Sequence, residues 1–244
     1  MKNFTFILFL LVSSYANENV NTISTEEKSP IKEEELFDPL SGYNKIMTSF
    51  NDQFFMNILN PVSKGYAYIT PETMRIGISN FFENIMFPVR FSNNLLQLKF
   101  KNANEELGRF TINTFWGLGG FMDPATNELN MTPHKEDFGQ TLGFYGIGDG
   151  FPVVLPILGQ SNLRDMVGLG ADSYVNALST TGDSDLNYKI PNNFEQELGI
   201  KSFEMINSTS LKLGQYETIR KDCTDLYPLL RDIYAKSRKK QIEE

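Results

Sequence analysis

Residues 109–165, RFTINTFWGLGGFMDPATNELNMTPHKEDFGQTLGFYGIGDGFPVVLPILGQSNLRD, decide how the rest of the chain is read. Twelve of the 18 glycines fall between Gly108 and Gly170, residues 110–122 carry no charge, and residues 138–163 carry only Asp149. In a soluble core, apolar residues alternate with charge at a strand or helix period, because one face of each element meets water. These neutral runs have no such partner face. They are also too short and too broken by Gly and Pro for a transmembrane helix, which needs about 20 mostly apolar residues. Two options remain: an unusually buried Gly-rich core, or a surface that sits in a lipid layer without spanning it.

The chain on either side of this stretch reads as helical. Tyr43, Ile46, Met47, Phe50, Phe54 and Ile58 recur at steps of three and four and predict an amphipathic helix ending near Asn60-Pro61. Thr70-Pro71-Glu72 predicts a cap ahead of a second helix, carrying Met74, Ile78, Phe81, Phe82 and Ile85 and stopped by Pro88. Ser92 or Asn93 would cap a third, with Leu96, Phe100, Ala103, Leu107 and Phe110 as its apolar stripe. Gly117-Leu118-Gly119-Gly120 falls where that helix should end or kink. Residues 139–158 read as a hairpin or irregular loop, with turn glycines at Gly146, Gly148 and Gly150. Pro152 and Pro156 keep the β-type run 151–158 out of a sheet centre. Ser161 is positioned to cap a helix reaching about Ser179, and a polar connection follows over 179–193. Phe194, Leu198, Phe203 and Ile206 predict a helix interrupted at Gly199, and residues 216–234 a last one bent or broken at Pro228. Aromatic stripes at helical spacing usually mark core. Here Phe50, Phe54, Phe55, Phe81, Phe82, Phe87, Phe91 and Phe100 exceed what helices this short bury in one globular layer, as helices lying in a leaflet would require.

At 244 residues without an evident repeat the chain reads as one domain, over residues 37–235. The net charge of −8 argues against nucleic acid, whose binding needs a basic face. Half of that charge sits in residues 17–36, acidic and poor in aromatics, the composition of a flexible linker. Lys2, the apolar run 4–12 and Ser14-Tyr15-Ala16 read as a secretory signal spanning residues 1–16. Residues 236–244 form a basic tail, in which Lys236, Arg238, Lys239 and Lys240 are expected on a solvated last turn favoured by the helix dipole.

Three groups of words inside the central stretch are ordered: Arg109-Phe110-x-Ile112-Asn113-Thr114-x-x-Gly117-x-Gly119-Gly120-x-x-Asp123-Pro124-Ala125, Glu136-Asp137-Phe138-Gly139-Gln140-Thr141-Leu142-Gly143, and Leu155-Pro156-x-Leu158-Gly159-x-Ser161-x-x-Arg164-Asp165. Upstream stand Asp38-Pro39-Leu40-x-Gly42-Tyr43-Asn44, Pro61-Val62-x-Lys64-Gly65-Tyr66 and Asn80-Phe81-Phe82-x-Asn84. Together, over roughly residues 37–234, this pattern resembles the MlaA (VacJ) family. The resemblance implies a mainly α fold, a ring-like assembly of amphipathic helices lying in one membrane leaflet with a Gly-rich hairpin or loop. It implies non-enzymatic transport: glycerophospholipids removed from the outer leaflet of the outer membrane and passed to a periplasmic lipid-binding carrier of the MlaC type. A trimeric porin is the partner it suggests, and the periplasmic face of the outer membrane the location. The family usually carries a lipobox cysteine after the signal, whereas the only cysteine here is Cys223, so no lipidation is expected.

Chemistry of other kinds finds little support. One histidine and one cysteine exclude a Cys/His zinc cluster, and His134, between Pro133 and Lys135, reads as a solvated loop residue. No GxSxG elbow marks a lipase, and Asp123, Asp137, Asp149 and Asp165 lack metal-ligand spacing. No cofactor is expected. Three readings stay open at this point: a lipid-transfer channel, a structural or porin-associated protein without transport, and a hydrolase with an unrecognised site. On the first, Asn113, Gly117, Gly119, Gly120, Asp123, Arg164 and Asp165 are expected along a lipid path, because a headgroup losing its water needs polar replacements. Gly139, Gly143, Gly146, Gly148 and Gly150 are expected in a loop that controls passage.

Overall fold

A computed structural model describes residues 37–181, 188–221 and 223–244. The signal and linker segments, and residues 182–187 of the polar connection, lie outside the described residues. The fold is mainly helical, as expected, with one small hairpin.

The first helix, α1 (Ser41–Phe54), does not end at Pro61. It passes through a π-turn (Phe55–Leu59) into α2 (Asn60–Ile69). Proline has no N–H to give to the carbonyl one turn back, and its ring crowds that carbonyl. Widening the preceding turn, where the Asn60 N–H reaches the Phe55 carbonyl, lets the chain absorb the proline at the start of α2 and stay helical. Pro88 likewise starts a helix instead of stopping one: α3 (Glu72–Ile85), headed by Pro71 and not by a Thr70 side-chain cap, is followed directly by α4 (Phe87–Leu96), with Pro88 in its first turn.

The expected third helix is two. Between α4 and α5 (Phe100–Phe115) the chain reverses at Gln97–Lys99, with Leu98 at φ 60°. The buried Gln97 amide donates to Glu136 (2.7 Å) and to Thr141 (3.2 Å), which anchors the reversal from inside. Phe87 stacks on Phe110 at 4.4 Å between ring centroids, closing α4 on α5. As expected, α5 ends before the glycines: Leu118, Gly119 and Gly120 follow one another at φ 55°, 72° and 94°, a left-handed run that no helix continues.

A short helix α6 (Pro124–Asn127) is capped by Asp123. Residues 138–144, expected in a loop, form α7 (Phe138–Phe144), whose N-terminus is held by the Asp137 side chain on the Gln140 N–H. The hairpin is present as β1 (Pro152–Leu155) and β2 (Gly159–Asn162), antiparallel, pairing Pro152 with Asn162 and Leu155 with Gly159. The second edge of β1 is occupied by a helix. Asn44 donates to the Pro152 carbonyl (3.0 Å) and accepts from Val154 N–H (2.8 Å); Asn51, two turns on along α1, donates to the Leu155 carbonyl (2.9 Å) and accepts from Ile157 N–H (2.6 Å).

Asn162, not Ser161, caps α8 (Leu163–Val175), which stops short of Ser179. Then α9 (Phe194–Ser210) runs through Gly199 without a break. The last predicted helix is divided into α10 (Gln215–Lys221) and α11 (Leu226–Glu243), with Asp225 capping the second and Pro228 in its first turn, where a missing N–H costs nothing. Because α11 continues to Glu243, the basic tail is helical. Arg238 is buried, contrary to the solvated turn expected.

Burial is inverted relative to a soluble domain. Among the described residues, 30 polar or charged side chains are buried against 14 apolar ones, while 31 large apolar side chains are exposed. Eight of those 14 form two small clusters, one of Val153, Leu155, Leu158 and Leu169 and one of Phe82, Met86, Val89 and Leu178. No helix among the described residues is long and apolar enough to cross a membrane.

Candidate functional site

The expected path residues fall into two separate clusters. The first forms where α5 runs into its terminal glycines. Asp123 accepts from Asn113 (2.8 Å), from Thr126 N–H (3.1 Å) and Thr126 Oγ1 (2.6 Å), and from Arg109 (3.2 Å); Asn113 in turn accepts from Ala125 N–H (3.0 Å). Burial works against the Asp123 charge, but the bonds from Thr126 and Asn113, with the Arg109 charge, outweigh it and hold the pKa below the ordinary value. Gly117 and Gly120 lie within this knot, Gly120 against the Asn84 side chain, while Gly119 faces open space.

The second cluster joins α7, α8 and α11. Arg238 is wedged between Asp137, with bonds of 2.6 and 2.9 Å, and Asp165, with bonds of 2.9 and 3.0 Å. Arg164 Nε donates to Asp165 (3.0 Å), and Arg164 Nη1 pairs with Asp149 and reaches the Ile147 carbonyl (3.4 Å). A third carboxylate, Asp172, accepts from Asn93 (2.8 Å) and from Phe138 N–H (2.9 Å). Its burial and the charge of Asp137 push its pKa up to about 7. Gly139 and Gly168 permit this crowding: a side chain on Gly139 would meet Asp165 and Arg238, and one on Gly168 would meet the α7 backbone. Arg164 and Asp165 are thus committed to the protein interior, with side chains 3% and 5% exposed. Asn113 and Asp123 therefore stand in one cluster and Arg164 and Asp165 in the other.

Of the expected loop glycines, Gly139 and Gly143 belong to α7, and Gly146, Gly148 and Gly150 to the exposed segment 144–150. That segment presents Phe144, Tyr145 and Ile147 outward, and is tied by Tyr145 OH to the Leu96 carbonyl (2.6 Å) and by Arg164 to residues 147 and 149. His134 is not freely solvated. Its Nε2 lies 3.0 Å from Glu105, a contact that lowers the Glu105 pKa, and its backbone N–H donates to the buried Glu106 (2.7 Å).

Among the described residues a concave feature lies elsewhere. A cavity of about 200 Å³ opens between α1 with its π-turn, the hairpin turn, the α9–α10 region and α11. Its walls are apolar, from Phe54, Phe55, Leu59, Met205, Leu230 and Ile233, while Thr48, Asn51, Gln160, Thr209 and Lys212 bring polar groups to it. Phe55 rests on Tyr216, ring centroids 4.4 Å apart. Tyr234 joins this cavity to the second cluster, since its ring lines the wall and its hydroxyl donates to Asp165 (2.5 Å). Burial first, and the Asp165 charge with it, raise the Tyr234 pKa well above its usual value, so the hydroxyl stays a donor. The cavity residues were missed in the sequence because Phe54 reads as part of the first helix's stripe and Tyr216 and Tyr234 as ordinary residues of the last helix. The signal available was the adjacent Phe pair four residues before an Asn-Pro, which a uniform α-helix cannot place on one wall.

The comparisons agree with this architecture. The family described as "MlaA lipoprotein" matches residues 36–241. The "Intermembrane phospholipid transport system lipoprotein MlaA" of Haemophilus influenzae is 33% identical over 179 residues, 71% of this chain and 68% of that protein. The Escherichia coli protein of the same name is 39% identical over 147 residues, 58% of each chain, and an uncharacterized protein of Rickettsia felis is 31% identical over 86% of this chain and 79% of its own length. A solved structure from work on the "Structural basis for maintenance of bacterial outer membrane lipid asymmetry" superposes with a TM-score of 0.70 at 30% identity, covering 84% of this chain and 98% of the other. On the extent of the family match and of these relatives, the chain belongs to the MlaA lipoprotein family.

Proposed function

We propose that this protein takes part in phospholipid transport at the outer membrane, moving glycerophospholipid from the outer leaflet towards the periplasm without covalent chemistry. The observation that carries the reading is the inverted burial: exposed large apolar side chains outnumber the buried apolar ones about two to one. A soluble monomer rarely exposes contiguous apolar patches beyond a few hundred Å². The same side chains are favourable in a leaflet, where each buried Å² is worth roughly 25 cal/mol. The names of the Haemophilus influenzae and Escherichia coli relatives support lipid as the cargo. The cavity of Phe54, Phe55, Leu59 and Met205 would take a segment of an acyl chain, with Asn51, Gln160 and Lys212 among the polar groups on its lining. The Arg238 cluster, joined to it through Tyr234, holds one wall, and the segment 144–150 controls passage. A trimeric porin and a periplasmic carrier of the MlaC type are the partners this reading requires.

Filling the cavity tests it. Met205→Trp and Leu59→Trp should leave the protein abundant and membrane-bound while phospholipid accumulates in the outer leaflet, the outcome also expected when the protein is removed. Unchanged lipid asymmetry with both variants present at normal levels would exclude the cavity as the path. Porin crosslinking combined with normal asymmetry would favour a structural role.

A further inference from the structure

The helix that forms one wall of the cavity also holds the exposed segment 144–150. Over its middle, α11 gives Leu230, Ile233 and Tyr234 to the cavity. One turn further, Arg238 binds Asp137, the cap of α7, and Asp165, in the first turn of α8. One more turn on, Ile242 lies against Gly143 so closely that a Cβ there would stand 2.6 Å from Ile242 Cδ1 and 3.2 Å from Arg164 Nη1. Residues 144–150, all exposed, leave directly from that contact, and Arg164 grips their far end at Ile147 and Asp149. A rigid helix that contacts two sites transmits a shift at one to the other, because a packed, hydrogen-bonded interface moves between discrete arrangements and does not deform smoothly.

We infer that α11 couples occupancy of the cavity to the position of the segment 144–150, with Tyr234 as the sensing contact and Arg238 and Ile242 as positioning residues. The inference rests on the reading of the cavity as the lipid path. An acyl chain entering beside Leu230, Ile233 and Tyr234 displaces α11. Arg238 carries the displacement to the bases of α7 and α8, and Ile242 carries it to the glycine from which the segment springs. A side chain at Gly143 would push the Ile242 side chain from its seat.

The experiment places a spin label at Ile147→Cys in a Cys223→Ser background. Label mobility in the full chain is recorded in detergent before and after addition of phosphatidylethanolamine/phosphatidylglycerol, with lipid binding measured in parallel. Lipid should change the mobility of the label in the parent chain. In Ile242→Ala, which leaves the buried ions in place, and in Arg238→Lys, the response should fall several-fold while lipid binding persists. An equal response in the folded Ile242→Ala variant, or bound lipid with no response in the parent, overturns the coupling and leaves the transport reading standing. A parent chain that binds no phospholipid overturns the transport reading, and the coupling with it.

Discussion

The knot around Asp123 and the clamp around Asp165 do the same thing by different means. Each places a carboxylate where water is scarce and surrounds it with donors. In the knot every partner lies within 17 residues: Arg109, Asn113 and Thr126 all reach Asp123 from one helix end and the turn after it. In the clamp, Arg238 reaches across 101 residues to Asp137 and 73 to Asp165. The knot therefore forms with its helix, whereas the clamp forms only after α7, α8 and α11 have met and long loops have closed. The first should behave as local structure and the second as the joint of the fold.

Breaking the joint should have the largest effect. Arg238→Ala leaves Asp137 buried without its cation and Asp165 with Arg164 alone, a loss of about 3–5 kcal/mol. It should appear as a lowered unfolding midpoint, with α11 amides exchanging first. An Arg238→Ala protein as stable as the parent would make the clamp no more than a surface ion pair.

Next comes a pH effect that the knot cannot produce. Asp172 faces Asp137 and Arg238 as well as Asn93 and the Phe138 N–H, and its folded pKa of about 7 lies above its ordinary 3.8. The folded state thus holds a proton that the unfolded chain releases, so this residue's contribution is complete below about pH 4 and is lost as pH rises to about 7. The slope reaches at most about 1.4 kcal/mol per pH unit. Asp137, with its pKa held low by Arg238 against burial, acts in the opposite sense only in stronger acid. Denaturant titrations of Asp172→Asn between pH 4 and pH 8 should show this slope removed, at some loss of overall stability because an amide oxygen accepts from only one of the two donors.

Asp123→Ala should cost about 1–2 kcal/mol, the scale of a lost cap. It should leave the exchange of α8 and α11 untouched, the sharpest local-versus-global contrast with Arg238→Ala. Smallest is Gly119→Ala, where only the left-handed backbone opposes a methyl group that meets no neighbour within 4 Å; a cost of about 1 kcal/mol by thermal unfolding is expected.

The same division explains what the sequence disclosed. The amphipathic period of α1, the glycine stop after α5 and the hairpin around Pro156 are local patterns and were legible. Proline was ambiguous in kind. Pro61, Pro88 and Pro228 all sit in first turns, and a residue without an N–H fits the start of a helix as well as the break before it. The reversal at Leu98 was hidden because its cause, the Gln97 amide bonded to Glu136 and Thr141, lies some 40 residues downstream. Asn113 with Asp123 and Arg164 with Asp165 were recognisable as polar words. Their division into two clusters was not legible, because the partner that claims Asp165, Arg238, stands in what read as a solvated tail.

The pair Asn44 and Asn51 has one further consequence. A strand edge with unpaired N–H and C=O groups invites another chain to add to it, which is how sheets seed aggregation. In this molecule the Asn44 amide occupies the Pro152 and Val154 groups of β1, and Asn51, two helical turns on, holds the hairpin turn at Leu155 and Ile157, so α1 covers that edge without a third strand. A protein whose outside is this apolar has ample means of sticking to its own copies before it reaches lipid, and α1 denies them this route.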